Sequence, residues 1–188
     1  MFIILLGLWG GAFLLSAASS QLVSVKEALK KVFLAATIFE KEEFCLLPSE
    51  IVHIQGKADL LFKDAHSARV TRYVVKQDEQ VLGYGFEDIV HGKWGPIHYL
   101  VALDLNGVVL GIVILDYQEI RGKLIAKKRF LKQYIGKTID NPLRLRKDID
   151  GITGATISSR SLTDGVRKIL HIYHEFKAAP ARMDCEKP

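Results

Sequence analysis

The sequence predicts an α+β fold in which an antiparallel β-sheet of at least four strands is covered by packed helices. Three observations carry this expectation. Residues 68–117 contain successive apolar, β-branched and aromatic runs separated by turn residues. Asn106-Gly107 lies between two of these runs, a dipeptide suited to a type I′ hairpin because both residues tolerate positive φ. Beyond Thr156, the residues Leu162, Val166, Ile169, Leu170, Tyr173 and Phe176 recur at three- and four-residue spacing, the stripe of a long amphipathic helix.

Taken in order, residues 1–18 carry no charged side chain and lead through Ser19 and Ser20 into a charged segment. Residues 1–20 therefore read as a secretory signal peptide, cut near Ala18 or Ser20, or as an uncleaved N-terminal membrane anchor, since a span needs roughly 20 apolar residues. The expected location is extracytoplasmic (periplasmic), by export or by anchoring to the inner membrane. Against this, Lys26, Lys30 and Lys31 follow the apolar run and no Lys or Arg precedes it, the reverse of the positive-inside arrangement. Residues 21–67 are expected to be an N-terminal helical segment. One helix starts at Ser24, with Glu27 at capping-box spacing, and runs to about Phe44 on a stripe of Val25, Leu29, Phe33 and Ala36. A second covers 49–56 and stops at Gly56.

The main domain is expected over 68–177. A first hairpin joins the run around Val70, Tyr73 and Val75 to residues 81–90, and further strands follow at 96–104 and 107–117. Runs this apolar on both faces predict that helices cover the sheet. Residues 126–135 read as an amphipathic helix stopped by Gly136, Asn141-Pro142 as a turn, and 178–188 as a flexible tail.

The formal charge is +5 with 25% charged residues, without the dense Lys/Arg array of a nucleic-acid binder. Lys127, Lys128, Arg129 and Lys132 read as a solvated helix face, with a partner- or membrane-facing patch as the sharper alternative. Cys45 and Cys185 read as two unrelated thiols, and neither lies in a C-x-x-C or C-x-x-C-H motif. His171, His174 and Glu175 do not form H-E-x-x-H and read as surface residues.

The chemistry-bearing stretch is Asp150-Gly151-Ile152-Thr153-Gly154-Ala155-Thr156-Ile157-Ser158-Ser159. Small residues permit close approach to the backbone, and a helix N-terminus offers N–H groups and a positive dipole end. Thr153, Ser158 and Ser159 are candidate donors to phosphate oxygens. On these grounds the loop is a phosphate site for an unspecified ligand, or an ordinary helix start capped by hydroxyls.

This stretch resembles the covalent attachment motif of the FMN-binding domain family, which includes flavin-bearing subunits of sodium-pumping quinone reductases and related membrane redox complexes. Three further segments resemble that family: residues 92–97 with the hairpin at Asn106-Gly107, residues 117–122, and residues 130–137. The resemblance implies FMN held by a phosphoester to Thr156, with Asp150, Thr153, Gly154, Ala155, Ser158, Ser159, Glu119 and Gly122 around it. It also implies a flavin transferase that forms the ester from FAD with magnesium and releases AMP, and redox partner proteins associated with a membrane. Many relatives have Glu-Thr-Pro-Gly where this chain has Glu119-Ile120-Arg121-Gly122, so the ring environment is expected to differ. Arg121 and Lys123 are candidates to favour the anionic reduced cofactor by Coulomb attraction, and Trp94 is a candidate to stack on its ring. The functional expectation is an electron carrier rather than a stand-alone enzyme. The alternatives are a flavin-dependent reductase of a small acceptor, with His91, His98 or Glu119 as proton donor, and a non-flavin binding module.

Overall fold

A computed structural model describes residues 22–60, 68–117 and 124–176. The expectations for residues 1–21, for Glu119, Arg121, Gly122 and Lys123, and for the C-terminal tail lie outside the described residues.

The described chain runs α1 (Val25–Val32), β1 (Ile38–Cys45), α2 (Pro48–Ala58), β2 (Arg69–Gln77), β3 (Gln80–His91), β4 (Pro96–Leu103), β5 (Val109–Tyr117), α3 (Lys128–Leu131) and α4 (Thr156–Phe176). The strands form one five-stranded antiparallel meander in sequence order. Because side chains alternate across a strand, the sheet has two cores. On one face Ile97, Tyr99, Val101 and Leu103 of β4 pack with Leu162, Val166, Ile169 and Tyr173 of α4. On the other, Val75, Leu100, Ala102 and Leu115 pack with Ala28, Leu29 and Phe33. The structure is thus α+β, as expected, and helices cover both faces of the sheet.

Four elements differ from the sequence expectation. The helix from Ser24 stops at Val32, and residues 38–45, expected as its continuation, form β1. Glu40 and Glu42 favour a helix by propensity, but here they are cross-strand partners: Glu42 meets Arg72 at 2.6 Å and Glu40 meets Lys76 at 2.7 Å. These charges also blunt an edge strand. The capping box at Ser24 and Glu27 is present. Helix α2 passes through Gly56 and ends at Asp59, whose φ is +50°. The helix expected over 126–135 is a single turn, α3, continued as a 3-10 turn over Lys132–Tyr134. Finally, only Gly107 of Asn106-Gly107 has positive φ (+82°), so the turn is not type I′. The Asp104 carboxylate instead accepts from the Asn106 and Val108 N–H groups (2.9 and 2.8 Å), stabilising a longer loop from its first residue.

Helices α1 and α4 both begin at the same end of the sheet. The Leu22 N–H donates to the Leu115 carbonyl (2.9 Å) near the end of β5, while Val32 lies against Gly111 further back along that strand. On the opposite face, the Lys93 N–H in the β3–β4 turn donates to Ser158 Oγ (3.2 Å) in the first turn of α4. Tyr173, near the other end of α4, donates from its hydroxyl to the Leu105 carbonyl (2.8 Å) in the β4–β5 loop. Cys45 is disulfide-bonded, which corrects the expectation of unrelated thiols. The chain's other cysteine, Cys185, lies outside the described residues.

At Gly165, helix α4 leaves no room for a Cβ against the sheet. A Cβ there would lie 2.2 Å from the Tyr99 hydroxyl and 2.8 Å from Val90 Cγ1. Gly165→Ala is therefore expected to lower stability by about 1–3 kcal/mol through overpacking. Gly56→Ala, where a Cβ meets nothing within 4 Å in a helix interior, should raise stability by about 0.5–1 kcal/mol. Urea denaturation of the two variants checks both signs.

Candidate functional site

The site is built where the chain turns from the loop 143–155 into α4. Asp148 organises the approach. Its carboxylate accepts from the Leu143 and Arg144 N–H groups (3.2 and 2.9 Å) and from Lys137 Nζ (3.0 Å). Burial alone pushes this carboxyl up, but the Arg144 amide, the Lys137 ammonium and the Leu143 amide together hold it below the usual aspartate value. One residue pair later, the Gln133 side chain clasps the backbone of Asp150. Its Oε1 accepts from the Asp150 N–H (2.7 Å) and its Nε2 donates to the Asp150 carbonyl (3.2 Å).

The last reversal is at Gly154, with φ +81°, a conformation open to glycine without a Cβ clash. The Ala155 N–H then donates to the Ile152 carbonyl (2.9 Å). Ser159, 0% exposed, locks this turn to the helix. Its hydroxyl accepts from the Ile152 N–H (3.2 Å) and donates to the Ala155 carbonyl (2.9 Å). A hydroxyl has one proton, so Ser159 serves as the brace of the loop in this structure, not as the expected donor to a phosphate. Ser158 is also buried and accepts from the Lys93 N–H. Below them, Thr163 Oγ1 donates to the Ser159 carbonyl (2.7 Å), so the Tyr134 hydroxyl at 2.7 Å donates to Thr163. Burial pushes the Tyr134 phenol well up, which keeps it a donor.

On the outside of this frame, Thr153, Gly154, Thr156 and Ile157 are exposed. Thr156 is the first residue of α4, whose first turn carries no acidic residue. Trp94 is 61% exposed in the turn bonded to Ser158, with Lys93 Nζ 4.7 Å from its ring centroid. A cavity of about 980 Å³ runs between α2 and α4, one turn beyond Thr156. Its lining includes Val52, His91, Leu145 and Arg160, together with Arg144 paired to Asp59, Arg167 paired to Asp164, and Lys168, which pairs with Asp88.

This donor set fits a flavin nucleotide. An exposed hydroxyl stands where helix N–H groups favour a phosphate, and Arg160, ion pairs and apolar side chains line a groove along the same helix. Asp150 enters the site through its backbone, held by Gln133; the sequence marked 130–137 only by resemblance, because a lone Gln has no periodicity of its own. Of the proposed proton donors, His91 lines the groove. His98 does not: it alternates with Ile97 and Tyr99 and therefore points to the opposite face of the sheet. There its ring meets Glu87 at 2.7 Å, and the other Glu87 oxygen accepts from the Tyr73 hydroxyl at 2.7 Å. His171 and His174 lie at the far end of α4, where Glu175 meets His53 at 3.1 Å.

Residues 92–171 match the family described as the FMN-binding domain. The G subunit of an ion-translocating oxidoreductase complex from Cereibacter sphaeroides is 26% identical over 145 residues, covering 71% of this chain and 66% of that protein. The G subunit of the Na(+)-translocating ferredoxin:NAD(+) oxidoreductase complex from Acetobacterium woodii is 30% identical over 112 residues, 54% of each chain. The chain thus spans under two thirds of the length of these two relatives. Among solved structures, the C subunit of the Na(+)-translocating NADH-quinone reductase from Parabacteroides distasonis superposes with a TM-score of 0.53 at 20% identity, covering 84% of this chain and 86% of that one. That likeness confirms the α+β fold.

Gln133→Ala removes both bonds to Asp150, and hydrogen exchange at the Asp150 amide is expected to rise about tenfold, the equivalent of roughly one to two hydrogen bonds; unchanged exchange would show that the clasp holds nothing. On the far face of the sheet, the His98 contact lowers the Glu87 pKa against the opposing effect of burial, and the Tyr73 hydroxyl lowers it further. The unfolded chain therefore takes up this proton at higher pH. The stability contribution is complete above the ordinary glutamate pKa and is lost as pH falls through the lower folded value. Glu87→Gln should flatten the decline of the urea midpoint below about pH 4.

The segment that matches the FMN-binding domain family, residues 92–171, holds the β3–β4 turn, the Gln133 clasp and the Thr156 loop.

Proposed function

We propose that this protein is an electron-transfer flavoprotein acting outside the cytoplasm, with FMN esterified through its phosphate to Thr156 Oγ1. The observation that carries this reading is the placement of Thr156: an exposed hydroxyl that opens α4, with no acid in the first turn, inside an FMN-binding domain. In the ester-forming step the Thr156 oxygen attacks the FMN phosphorus of FAD, the pyrophosphate bond breaks, AMP departs and the hydroxyl proton is released. A flavin transferase with magnesium is the proposed catalyst. Bound there, FMN supplies reversible one- and two-electron redox chemistry.

The chain's own residues do the rest. Ser159 and Gln133 hold the loop, the first-turn N–H groups of α4 would meet the phosphate, and Arg160, exposed one turn on, would add positive charge beside it. Glu119 and Gly122 belong to the same proposal, because the chain leaves β5 at Tyr117, opposite Ile97 and beside the β3–β4 turn. Arg121 and Lys123 would then favour the reduced anion. The names of the relatives point to a membrane redox complex as partner. The disulfide at Cys45 supports an oxidising compartment. A proton-donating role for His98 loses its basis, since that side chain faces away from the loop.

Protein matured in its native host, or co-expressed with a flavin transferase, is expected to gain the mass of FMN less one water on the peptide carrying Thr156. Thr156→Ala should abolish the acid-stable yellow colour, and Thr156→Ser should keep it, because the nucleophilic oxygen is retained. Unmodified Thr156 in protein from the native host would overturn the proposal.

A further inference from the structure

We infer that Lys127, Lys128, Arg129 and Lys132 form a docking ridge for a carboxylate-bearing surface of a partner protein, centred on the exposed side chains of Ile135 and Leu110. The first observation is that the fold leaves their charge unanswered. All four are exposed on the outside of α3 and the 3-10 turn that follows it, while Phe130 and Tyr134 of the same segment are buried. None of the ion pairs among the described residues includes them. Elsewhere cations are matched, Lys137 with Asp148, Arg144 with Asp59 and Lys168 with Asp88. Lys128 and Lys132 stand four residues apart, and Arg129 and Lys132 three, the spacings at which like charges oppose a helix. The first turn of α3 contains no acid to offset them. Lys30 and Lys31 are exposed as well, but they lie in the last turn of α1, where cations complement the helix dipole. The ridge has no such local compensation.

The second observation is an apolar centre beside the ridge. Ile135 is 53% exposed and Leu110 37%. They sit on adjoining backbone: the Gly136 N–H donates to the Val109 carbonyl (2.8 Å), and the Val109 N–H donates to the Lys137 carbonyl (2.9 Å). A Cβ at Gly136 would meet nothing within 4 Å, so the surface is open there. Aliphatic side chains flanked by cations match the anatomy of a protein interface, apolar at the centre and charged at the rim. The aromatics of this segment, Phe130 and Tyr134, are turned inward, so the patch lacks the exposed indole or phenol of a membrane surface. Charge complementarity then selects a protein surface with Asp and Glu opposite the ridge.

The third observation is position. The segment that carries the ridge also holds the site: Gln133, next to Lys132, clasps the Asp150 backbone, and Tyr134 donates to Thr163 of α4. A partner seated on the ridge therefore stands beside the loop that leads to Thr156. Before contact, the cations draw an acidic surface towards it over a Debye length, about 10 Å at 0.1 M salt. The inference deepens the proposed function and rests on it only for what passes between the partners. The contact itself does not require the cofactor.

A water-soluble carbodiimide joins a lysine amine to a carboxylate in contact with it, forming an amide with loss of water. Intact native-host cells producing the full chain are treated with it, and the digested protein is mapped by mass spectrometry. Lys128 and Lys132 are expected to be joined to Asp or Glu of another polypeptide at a yield about tenfold above that of Lys30 and Lys31. Arg129→Glu leaves both reporter lysines in place and should lower their yield about tenfold, with Lys127→Glu as a second reversal. Ile135→Ser, at constant charge, should lower it about threefold. The urea midpoint of each variant should stay at that of the unsubstituted chain, as for exposed positions generally. Three results overturn the inference: ridge lysines joined no more than Lys30 and Lys31, as against lipid or water; joining only to carboxylates of this chain or of a second copy; or a yield that neither charge reversal changes. The peptide carrying Thr156 is read in the same digest, so loss of the ester and loss of the contact are seen separately.

Discussion

The hydroxyl of Ser159 is the interaction on which the site depends. It is buried at the base of α4, takes the Ile152 N–H and gives its proton to the Ala155 carbonyl. That pair of bonds turns a glycine-containing loop into a fixed lead-in to a helix and leaves Thr156 outside as the first helical residue. The brace is itself supported from below, by Thr163 against the Ser159 carbonyl and by Tyr134 against Thr163. A buried polar chain of this kind is worth having only when each member is satisfied, because an orphaned group in the core costs about 1–3 kcal/mol. Here the donors can be assigned in one direction, from Tyr134 to Thr163 to the Ser159 carbonyl, with the Ser159 proton going to Ala155.

The segment after β5 performs a second task. Lys137 reaches Asp148, Gln133 reaches Asp150, and Tyr134 reaches α4. Two short helical turns and the residues just after them thus hold both the loop and the helix that it introduces. This accounts for a site that is rigid on the inside and exposed on the outside. The groove along Arg160 and Lys168 is lined from α2, β3 and the 144–145 turn as well, so residues far apart in the chain meet one turn beyond Thr156.

Much of this was legible in the sequence. The strands β2 to β5 are apolar runs with turn residues between them, and α4 has an unbroken stripe, so period alone locates them. The loop at 150–159 stands out by its small and hydroxyl residues, and resemblance gave it a cofactor. What was not legible depended on partners distant in the chain. β1 is rich in Glu and Lys, and only Arg72 and Lys76 on β2 make those charges suitable for a strand. Gly56 resembles a stop signal, yet the helix continues because nothing else ends it before Asp59. The division of labour among hydroxyls was equally hidden: Ser158, Ser159 and Thr156 are close in sequence, but burial sends the two serines inward and leaves the threonine outward. His98 and Trp94 are both near the Gly-Lys-Trp-Gly turn, and strand alternation alone assigns them to different surfaces.

One lateral margin of the sheet, β5, is engaged near both ends, and the other, β1, is guarded by charge. β1 is bordered by like and unlike charges that resist a flat approach. β5 has its Leu115 carbonyl engaged by Leu22 near one end and Val109 bonded to Gly136 and Lys137 at the other. A neighbouring polypeptide therefore finds little backbone on which to register by strand addition, which also removes a common route to aggregation. Recognition of this domain by other proteins has to be written in side chains, and such a surface can be rewritten residue by residue while the ladder beneath it stays the same.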